Sequence, residues 1–236
     1  MVTKNIDFVI VNHESFDMAR LLIKSIHKYS APYNYHVYLV DNSTQKHLFE
    51  NEFQESFTYL KGDNNVNQKG FPSQISSAHS HALQKGVEAG NGDYVCLLDV
   101  DTCFLDTWTD DVLPMLTDNL FVSHRWEPGR QIARPMFMIF ERIKYDQYNI
   151  DFSIAYQDSG GIFTKTANEN GLQFKILINS YNDKQLQAYH AIDPGRKIIK
   201  SGEQAFIQKD DEQLKAFFWH FGRGTTVGIV DEWYEL

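Results

Sequence analysis

The sequence predicts an α/β domain with a mostly parallel sheet and helices on both of its faces. Short, continuously apolar runs recur in the first half of the chain, and segments with helical periodicity separate several of them. Polar residues follow most of these runs. Continuous apolar runs are typical of parallel strands that are buried on both faces. Ligands of such sheets bind beyond the carboxyl ends of the strands, so we expect the site there.

Four strands and two helices are predicted in the first half. Apolar residues at spacings of three and four indicate one helix from Phe16 to Ile26 and another from Ile75 that ends at Gly90. The predicted strands span residues 8–11, 36–41, 57–60 and 94–98. Three of them end near Asn12, Asp41 and Asp99, which are therefore candidates for the ligand site.

The second half is less regular. Its predicted strands span residues 120–123, 136–140 and 174–178, and a helix is predicted from Ser159 to Asn170, ended by Gly171. No internal repeat, low-complexity tract or linker interrupts the chain, so residues 1–236 are predicted to form a single domain.

Charge and composition exclude some functions. The formal net charge is −9, with 31 acidic residues against 22 Lys and Arg, which argues against a nucleic-acid partner. An acidic protein can still bind an anionic ligand when a divalent cation supplies positive charge. No apolar run approaches the roughly 20 residues that span a bilayer, and the first residues do not resemble a signal peptide. We therefore expect no membrane span and a cytoplasmic location.

Asp99 and Asp101 form the strongest chemical pattern. In extended backbone, residues two apart project to the same side, so both carboxylates can bind one cation. Mg²⁺ and Mn²⁺ prefer oxygen ligands and often take one or two carboxylates together with substrate phosphates. The structural alternative to a metal site is a solvated turn, since Asp is common after strands. An aspartyl-phosphate phosphatase motif is a second alternative, but Cys103 occupies its expected Thr or Val position and the pair follows the fourth strand instead of the first.

Four stretches of the first half together resemble family 2 glycosyltransferases of the GT-A superfamily, in that family's order and at about its spacings. They are residues 7–13 (DFVIVNH), 40–44 (VDNST), 64–71 (NNVNQKGF) and 94–102 (YVCLLDVDT). The resemblance implies a GT-A fold. It also implies that residues 1–105 bind a nucleotide-sugar and residues 106–236 bind the acceptor.

The same resemblance assigns roles on the donor side. Asp41 would recognise the nucleoside, Asp99 would lie near the ribose and the metal, and Asp101 would be a direct metal ligand. Asn12, at the sheet edge, and Asn64, in the third stretch, are further donor-site candidates.

Three other residues of the first half bear on the same site. Lys69 is a donor-site candidate, with a solvated loop as its alternative. His79 and His81, two apart on a predicted helix, are expected on different faces and give no metal spacing.

Downstream, the resemblance implies a catalytic carboxylate residue at a helix start and a late histidine in the metal site. Asp158 matches the former, although Gln157 replaces the usual Glu, and capping of the helix is its structural alternative. His220 matches the latter, with a structural buried histidine as its alternative. Trp126 is the aromatic residue expected near the acceptor.

The sequence thus predicts a metal-dependent, inverting transfer of sugar from a nucleotide-sugar, with a UDP-sugar as the expected donor, to an acceptor hydroxyl of unknown identity. Asp158 would act as the base, and Mn²⁺ or Mg²⁺ would be the cofactor. A nucleotidyltransferase and a non-catalytic nucleotide-sugar binding domain are the alternatives. The intact Asp pair argues against the second of these, and Gln157 leaves it open.

Overall fold

The computed structural model describes residues 4–44, 56–183, 186, 203–209 and 213–221, which form two sheets and five α-helices. The strands are β1 (Asn5–Asn12), β2 (Asn34–Asp41), β3 (Phe57–Lys61), β4 (Tyr94–Asp99), β5 (Thr102–Phe104), β6 (Phe121–Glu127), β7 (Ile132–Glu141), β8 (Lys175–Ile176), β9 (Ile178–Asn179), β10 (Glu203–Gln208) and β11 (Leu214–His220). The helices are α1 (Phe16–Tyr29), α2 (Gln74–Ala89), α3 (Thr109–Val112), α4 (Arg142–Gln147) and α5 (Gly161–Asn170), and a 3₁₀ turn covers Leu113–Thr117. Among the described helices, none combines the length and the apolar character needed to cross a bilayer.

The larger sheet has the strand order β3-β2-β1-β4-β7-β6-β8. Within it only β7 runs against the other strands, so the predicted mostly parallel sheet is confirmed. The register pairs Asn12 of β1 with Asp41 of β2, and Val11 of β1 with Asp99 of β4. Three strand ends therefore meet at one edge of the sheet.

Both faces of the larger sheet are buried, as continuous apolar strands require. Along β1, Phe8 and Ile10 pack into the core that contains the apolar side of α1, whereas Val9 and Val11 pack into the core that contains α2. Helix α2 lies very close to the sheet at Gly86, where an added Cβ would stand 2.3 Å from a methyl carbon of Val9. The two helices are thereby fixed on opposite faces, and the N-terminus of α2 lies near the ends of the strands.

A smaller antiparallel sheet, with the order β5-β11-β10-β9, was not predicted from the sequence. The predicted strand over residues 174–178 is divided between the two sheets. Its first part, β8, pairs with β6, and β9 pairs with β10. Leu177 is buried between them and donates its amide to the Ser123 carbonyl at 2.9 Å. The chain passes from one sheet to the other at this residue, so one apolar run forms two short strands.

Helix α5 begins at Gly161, two residues later than predicted, and ends before Gly171, which has the left-handed φ of 64°. Its N-cap is Gly160, and an added Cβ there would stand 2.4 Å from the Ala133 carbonyl oxygen. The expected alternative role of Asp158 as the helix cap is therefore wrong. Its side chain bonds to the Ser159 amide, before the helix starts.

Candidate active site

The two aspartates lie in a tight turn. Asp99 is the last residue of β4, Val100 and Asp101 form the turn, and Thr102 begins β5. The Thr102 hydroxyl donates to the Asp99 carbonyl at 2.7 Å, and the Phe221 amide donates to the Asp101 carbonyl at 2.9 Å. The extended backbone assumed from the sequence is wrong for this segment. The turn nevertheless brings the two carboxylates together.

Asp99, Asp101 and His220 converge on one point, each with one ligand atom within 4.8 Å of the others. Pairing of β5 with β11 sets Thr102 opposite His220, which places the imidazole Nε2 3.6 Å from Asp101 Oδ1. Asp99 Oδ1 is buried and makes no hydrogen bond of good geometry within the described residues. Two carboxylate oxygens and an imidazole nitrogen suit a divalent cation such as Mn²⁺. The three residues expected from the sequence as metal ligands therefore fit such an ion.

The charges of this cluster are strongly coupled. Burial opposes ionisation of Asp99, but its interactions with His79 and His220 outweigh burial and lower the pKa of its carboxyl. Burial likewise opposes protonation of His220, but its interactions with Asp101 and Glu203 outweigh that effect and raise its pKa to about 10. A cation that binds His220 Nε2 must displace the proton held there.

A pocket of about 500 Å³ opens beside the Asp pair, at the carboxyl ends of β1, β2 and β4. This volume lies within the range of small-molecule sites. Its walls include His13, Asn42 and Asn64 from the loops after three strands, and Ile75 and His79 from the first turns of α2. Asn64, a predicted donor-site residue, therefore lines this pocket.

Asp41 and Asn12 do not line this pocket. Asp41 is fully buried, and its carboxylate accepts hydrogen bonds from Asn12 Nδ2 at 2.9 Å, the Ser43 amide at 3.0 Å and the Tyr59 hydroxyl at 2.7 Å. Asn12 Oδ1 accepts the Ser15 amide at 3.1 Å. In this arrangement both side chains hold the loops that form the pocket wall. Their polar groups are thus paired within the protein, and recognition of the nucleoside by Asp41 stays a prediction.

Lys69 also lies outside the pocket walls. It is exposed in the loop before α2, beside Gly70, whose φ is +104°. An added Cβ at Gly70 would stand 3.0 Å from the Cβ of Ala155. The loop thus packs against the second half of the chain, and the role of Lys69 in donor binding stays a prediction.

Asp158 is held by two arginines. Its Oδ2 contacts Arg130 Nη1 at 3.0 Å and forms a close ion pair with Arg134, while Oδ1 accepts the Ser159 amide at 2.8 Å. Glu127 also pairs with both guanidinium groups. Arg134 contributes, after His79 and His220, to lowering the pKa of Asp99, so its charge lies within range of the cluster of Asp99, Asp101 and His220.

Sequence reasoning missed three residues at or beside the site. His79 Nε2 lies 3.3 Å from Asp99 Oδ1, whereas the His81 ring bonds to the Ser77 carbonyl. The two histidines point in different directions, as predicted, but His79 lies at the site. The place of His79, near the N-terminus of a helix that faces the strand ends, could have indicated it. His124 and Glu203 lie behind His220 and had no signal in their spacing.

Trp126, expected near the acceptor, is a packing residue in this structure. Its ring stacks on Phe174, with 5.7 Å between the centroids, and belongs to the edge of the core on the α2 side of the sheet. The aromatic residue type is therefore explained by packing between β6 and the segment that precedes β8.

Comparison with known proteins shows what the chain is similar to. Residues 7–167 match the family described as "Glycosyl transferase family 2". No curated protein sequence matches the chain.

Two solved structures have a similar fold. The mannosyltransferase PcManGT from Pyrobaculum calidifontis, in complex with GDP-Man and Mn²⁺, has a TM-score of 0.50 and 13% identity over 75% of this chain. S. aureus TarS 1-349 has a TM-score of 0.52 and 13% identity over 80% of this chain. The matches cover only 55% and 63% of the lengths of those two proteins. The likeness confirms the GT-A fold that the sequence predicted.

Proposed function

Because the chain belongs to glycosyl transferase family 2, we propose that it transfers a sugar from a nucleotide-sugar donor to an acceptor hydroxyl. The observation that carries this proposal is the convergence of Asp99, Asp101 and His220 beside a pocket at the strand ends. A UDP-sugar remains the predicted donor. A GDP-sugar is the second donor to test, since the P. calidifontis structure contains GDP-Man.

On the donor side, Asp99, Asp101 and His220 would hold Mn²⁺ or Mg²⁺. When bound, the cation would supply positive charge that stabilises the departing diphosphate. A protein with a net charge of −9 needs such local compensation to bind a diphosphate. Asn64 offers a polar group at the wall of the pocket, where the nucleoside would lie.

On the acceptor side, Asp158 would accept the proton of the attacking hydroxyl. Arg130, Arg134 and the Ser159 amide fix the position of its carboxylate, and a base contributes most when it is held in place. A carboxylate has about four lone-pair sites, and the one further contact, from the Ser159 hydroxyl to Oδ1, is long at 3.5 Å, so Oδ1 keeps capacity for the acceptor proton. Attack in line with the departing diphosphate inverts the anomeric carbon.

The test is a panel of UDP- and GDP-sugars incubated with the protein and Mn²⁺, with the nucleotide product identified. Release of nucleoside diphosphate is expected. Release of pyrophosphate would instead indicate a nucleotidyltransferase. Tight binding of nucleotide-sugars without any product, across a broad set of acceptors and with water, would indicate a non-catalytic binding domain and contradict the proposal.

A further inference from the structure

A second cluster of ionisable side chains lies directly behind the proposed metal ligand His220. Glu203, at the start of β10, is the register partner of His220 at the end of β11, and His124 approaches from β6. Glu203 Oε2 lies 3.4 Å from His124 Nε2 and 3.8 Å from His220 Nδ1. The other oxygen, Oε1, pairs with Arg125 Nη1 at 2.8 Å.

The polar atoms of this cluster are buried. His124 has no exposed surface, and Glu203 Oε2 has no hydrogen-bond partner of good geometry within the described residues. A buried carboxylate oxygen without a partner is costly, and the two imidazoles supply the N–H groups that face it. Small movements of the rings would convert both separations into hydrogen bonds of ordinary length.

The two nitrogens of His220 face in different directions. Nε2 points to Asp101, at 3.6 Å, and Nδ1 points to Glu203. When Nδ1 carries the hydrogen and donates it to a carboxylate, Nε2 keeps its lone pair for a cation, and the orientation of the ring is fixed.

We propose that Glu203 is a positioning residue for the metal site, which accepts the Nδ1–H of His220 and so directs Nε2 towards Asp99 and Asp101. The proposal rests on the proposed function, because it needs a cation bound at those residues. His124 holds the same carboxylate oxygen from the other side, and Arg125 holds Oε1. The carboxylate is thereby fixed from three directions.

The same three side chains could instead bind an ion of their own, since His124, Glu203 and His220 each offer an atom within 4.8 Å of the others. Two features favour the positioning role. The Arg125 guanidinium, 2.8 Å from the carboxylate, would repel a cation there, and His220 would have to serve two ions through one ring.

The test measures Mn²⁺ affinity from the electron paramagnetic resonance signal of free Mn²⁺, in the full chain and without a sugar donor. Glu203→Gln keeps the size of the side chain and removes its charge. We expect it to raise the Kd for Mn²⁺ by about 10- to 100-fold, as for other partners of metal-binding histidines. In a His220→Ala background the same change should have no further effect, because Glu203 acts through the ring.

The matched control is Asp111→Asn. Asp111 is also a carboxylate that pairs with basic residues, Lys215 of β11 and Lys209 just after β10, and its ion pairs within the described residues involve none of the proposed metal ligands. The Mn²⁺ affinity of Asp111→Asn should equal that of the wild type. Glu203→Asp, which keeps the charge, should bind Mn²⁺ more tightly than Glu203→Gln and carries the test if the Gln variant does not fold.

Three results would overturn the proposal. The first is a Kd for Mn²⁺ in Glu203→Gln that equals the wild-type value. The second is a loss of Mn²⁺ affinity on Glu203→Gln that is as large in the His220→Ala background as in the wild type. The third is a second equivalent of bound metal that is lost in His124→Phe, which would make this cluster an ion site. These results leave the proposed function intact, whereas a wild-type protein that binds no Mn²⁺, alone or with UDP or GDP, overturns both.

Discussion

Asp158→Asn separates chemistry from structure at the acceptor side. The Asn carbonyl can still accept the Ser159 amide, as Asp158 Oδ1 does at 2.8 Å. The change removes one carboxylate from Arg130 and Arg134, but both guanidiniums keep Glu127, at 3.6 and 3.3 Å. The geometry around the site should therefore survive.

The expected magnitudes differ for stability and for rate. The side chains of Arg130 and Arg134 are 43% and 26% exposed, and ion pairs of this kind contribute about 0–1 kcal/mol. A loss of ~1 kcal/mol would lower the Tm by about 2–4 °C in a domain of this size. Loss of a general base should lower kcat at least about 100-fold, the lower limit of its usual contribution, which is ~2.7 kcal/mol of activation free energy. Because Asp158 does not line the nucleotide pocket, the donor KM should change little.

The assay is diphosphate release at saturating donor, with thermal melting of the same preparations. Glu127→Gln is the matched control, since Glu127 pairs with the same arginines, and it should keep kcat within a few-fold of the wild type. A near-normal kcat for Asp158→Asn, a product with retained anomeric configuration, or an equal loss in Glu127→Gln would refute the role of Asp158 as the base.

Three further predictions concern polar groups in and behind the pocket wall. Asp41→Ala should lower the free energy of unfolding by about 1–3 kcal/mol and raise the donor KM, since it leaves buried hydrogen-bond donors unpaired behind the pocket wall. Urea denaturation should show a smaller loss of stability for Tyr59→Phe, which breaks only one of the hydrogen bonds to Asp41. The pKa of His220 is raised from 6.5 to about 10, so without metal, in EDTA, its full contribution to stability should be present below pH 6.5 and be lost as the pH rises to about 10. Urea denaturation at a series of pH values should show this loss in the wild type and not in His220→Gln. His79→Phe should raise the donor KM roughly tenfold, because it removes the imidazole 3.3 Å from Asp99 Oδ1, and an unchanged KM in a folded variant would exclude His79 from donor binding.

The features that the sequence predicted best are those that depend on the local pattern of apolar residues. The four strands and two helices of the first half are confirmed because continuous apolar runs and three- or four-residue spacings report burial directly. The same edge of the sheet then holds Asp99, Asn64 and the other pocket residues, as parallel strands require.

The smaller sheet could not be predicted in this way. Two of its strands, β5 and β9, have only three and two residues, too few to show any period. Its pairing of Thr102 with His220 joins segments far apart in the chain, so His220 was indicated as a candidate metal ligand only by family resemblance. Glu203 reaches His220 through the pairing of β10 with β11, and His124 approaches from the larger sheet, so spacing along the sequence indicates neither of them.

Residue type also did not reveal the direction of a side chain. Asp41 lies at the predicted strand end, but its hydrogen bonds to Asn12, Ser43 and Tyr59 turn the carboxylate away from the pocket. Its neighbour Asn42 lines the pocket, but its amide nitrogen donates to the Ala78 carbonyl at 3.3 Å. One step along an extended chain reverses the face, and only the folded structure settles which residue points outwards.

The central claim is that Asp99, Asp101 and His220 hold a divalent cation on which sugar transfer depends, and Asp101→Asn tests it most directly. Nucleoside diphosphate release is measured for wild type, Asp101→Asn and the control Asp106→Asn, an exposed aspartate of the loop after β5, each in EDTA and after addition of excess Mn²⁺. We expect no release by the wild type in EDTA and recovery with Mn²⁺. With Mn²⁺ present, Asp101→Asn should be slower by at least about a hundredfold, with a normal melting curve, and Asp106→Asn should match the wild type. Full activity of the wild type in EDTA, or of Asp101→Asn with Mn²⁺, would contradict the account.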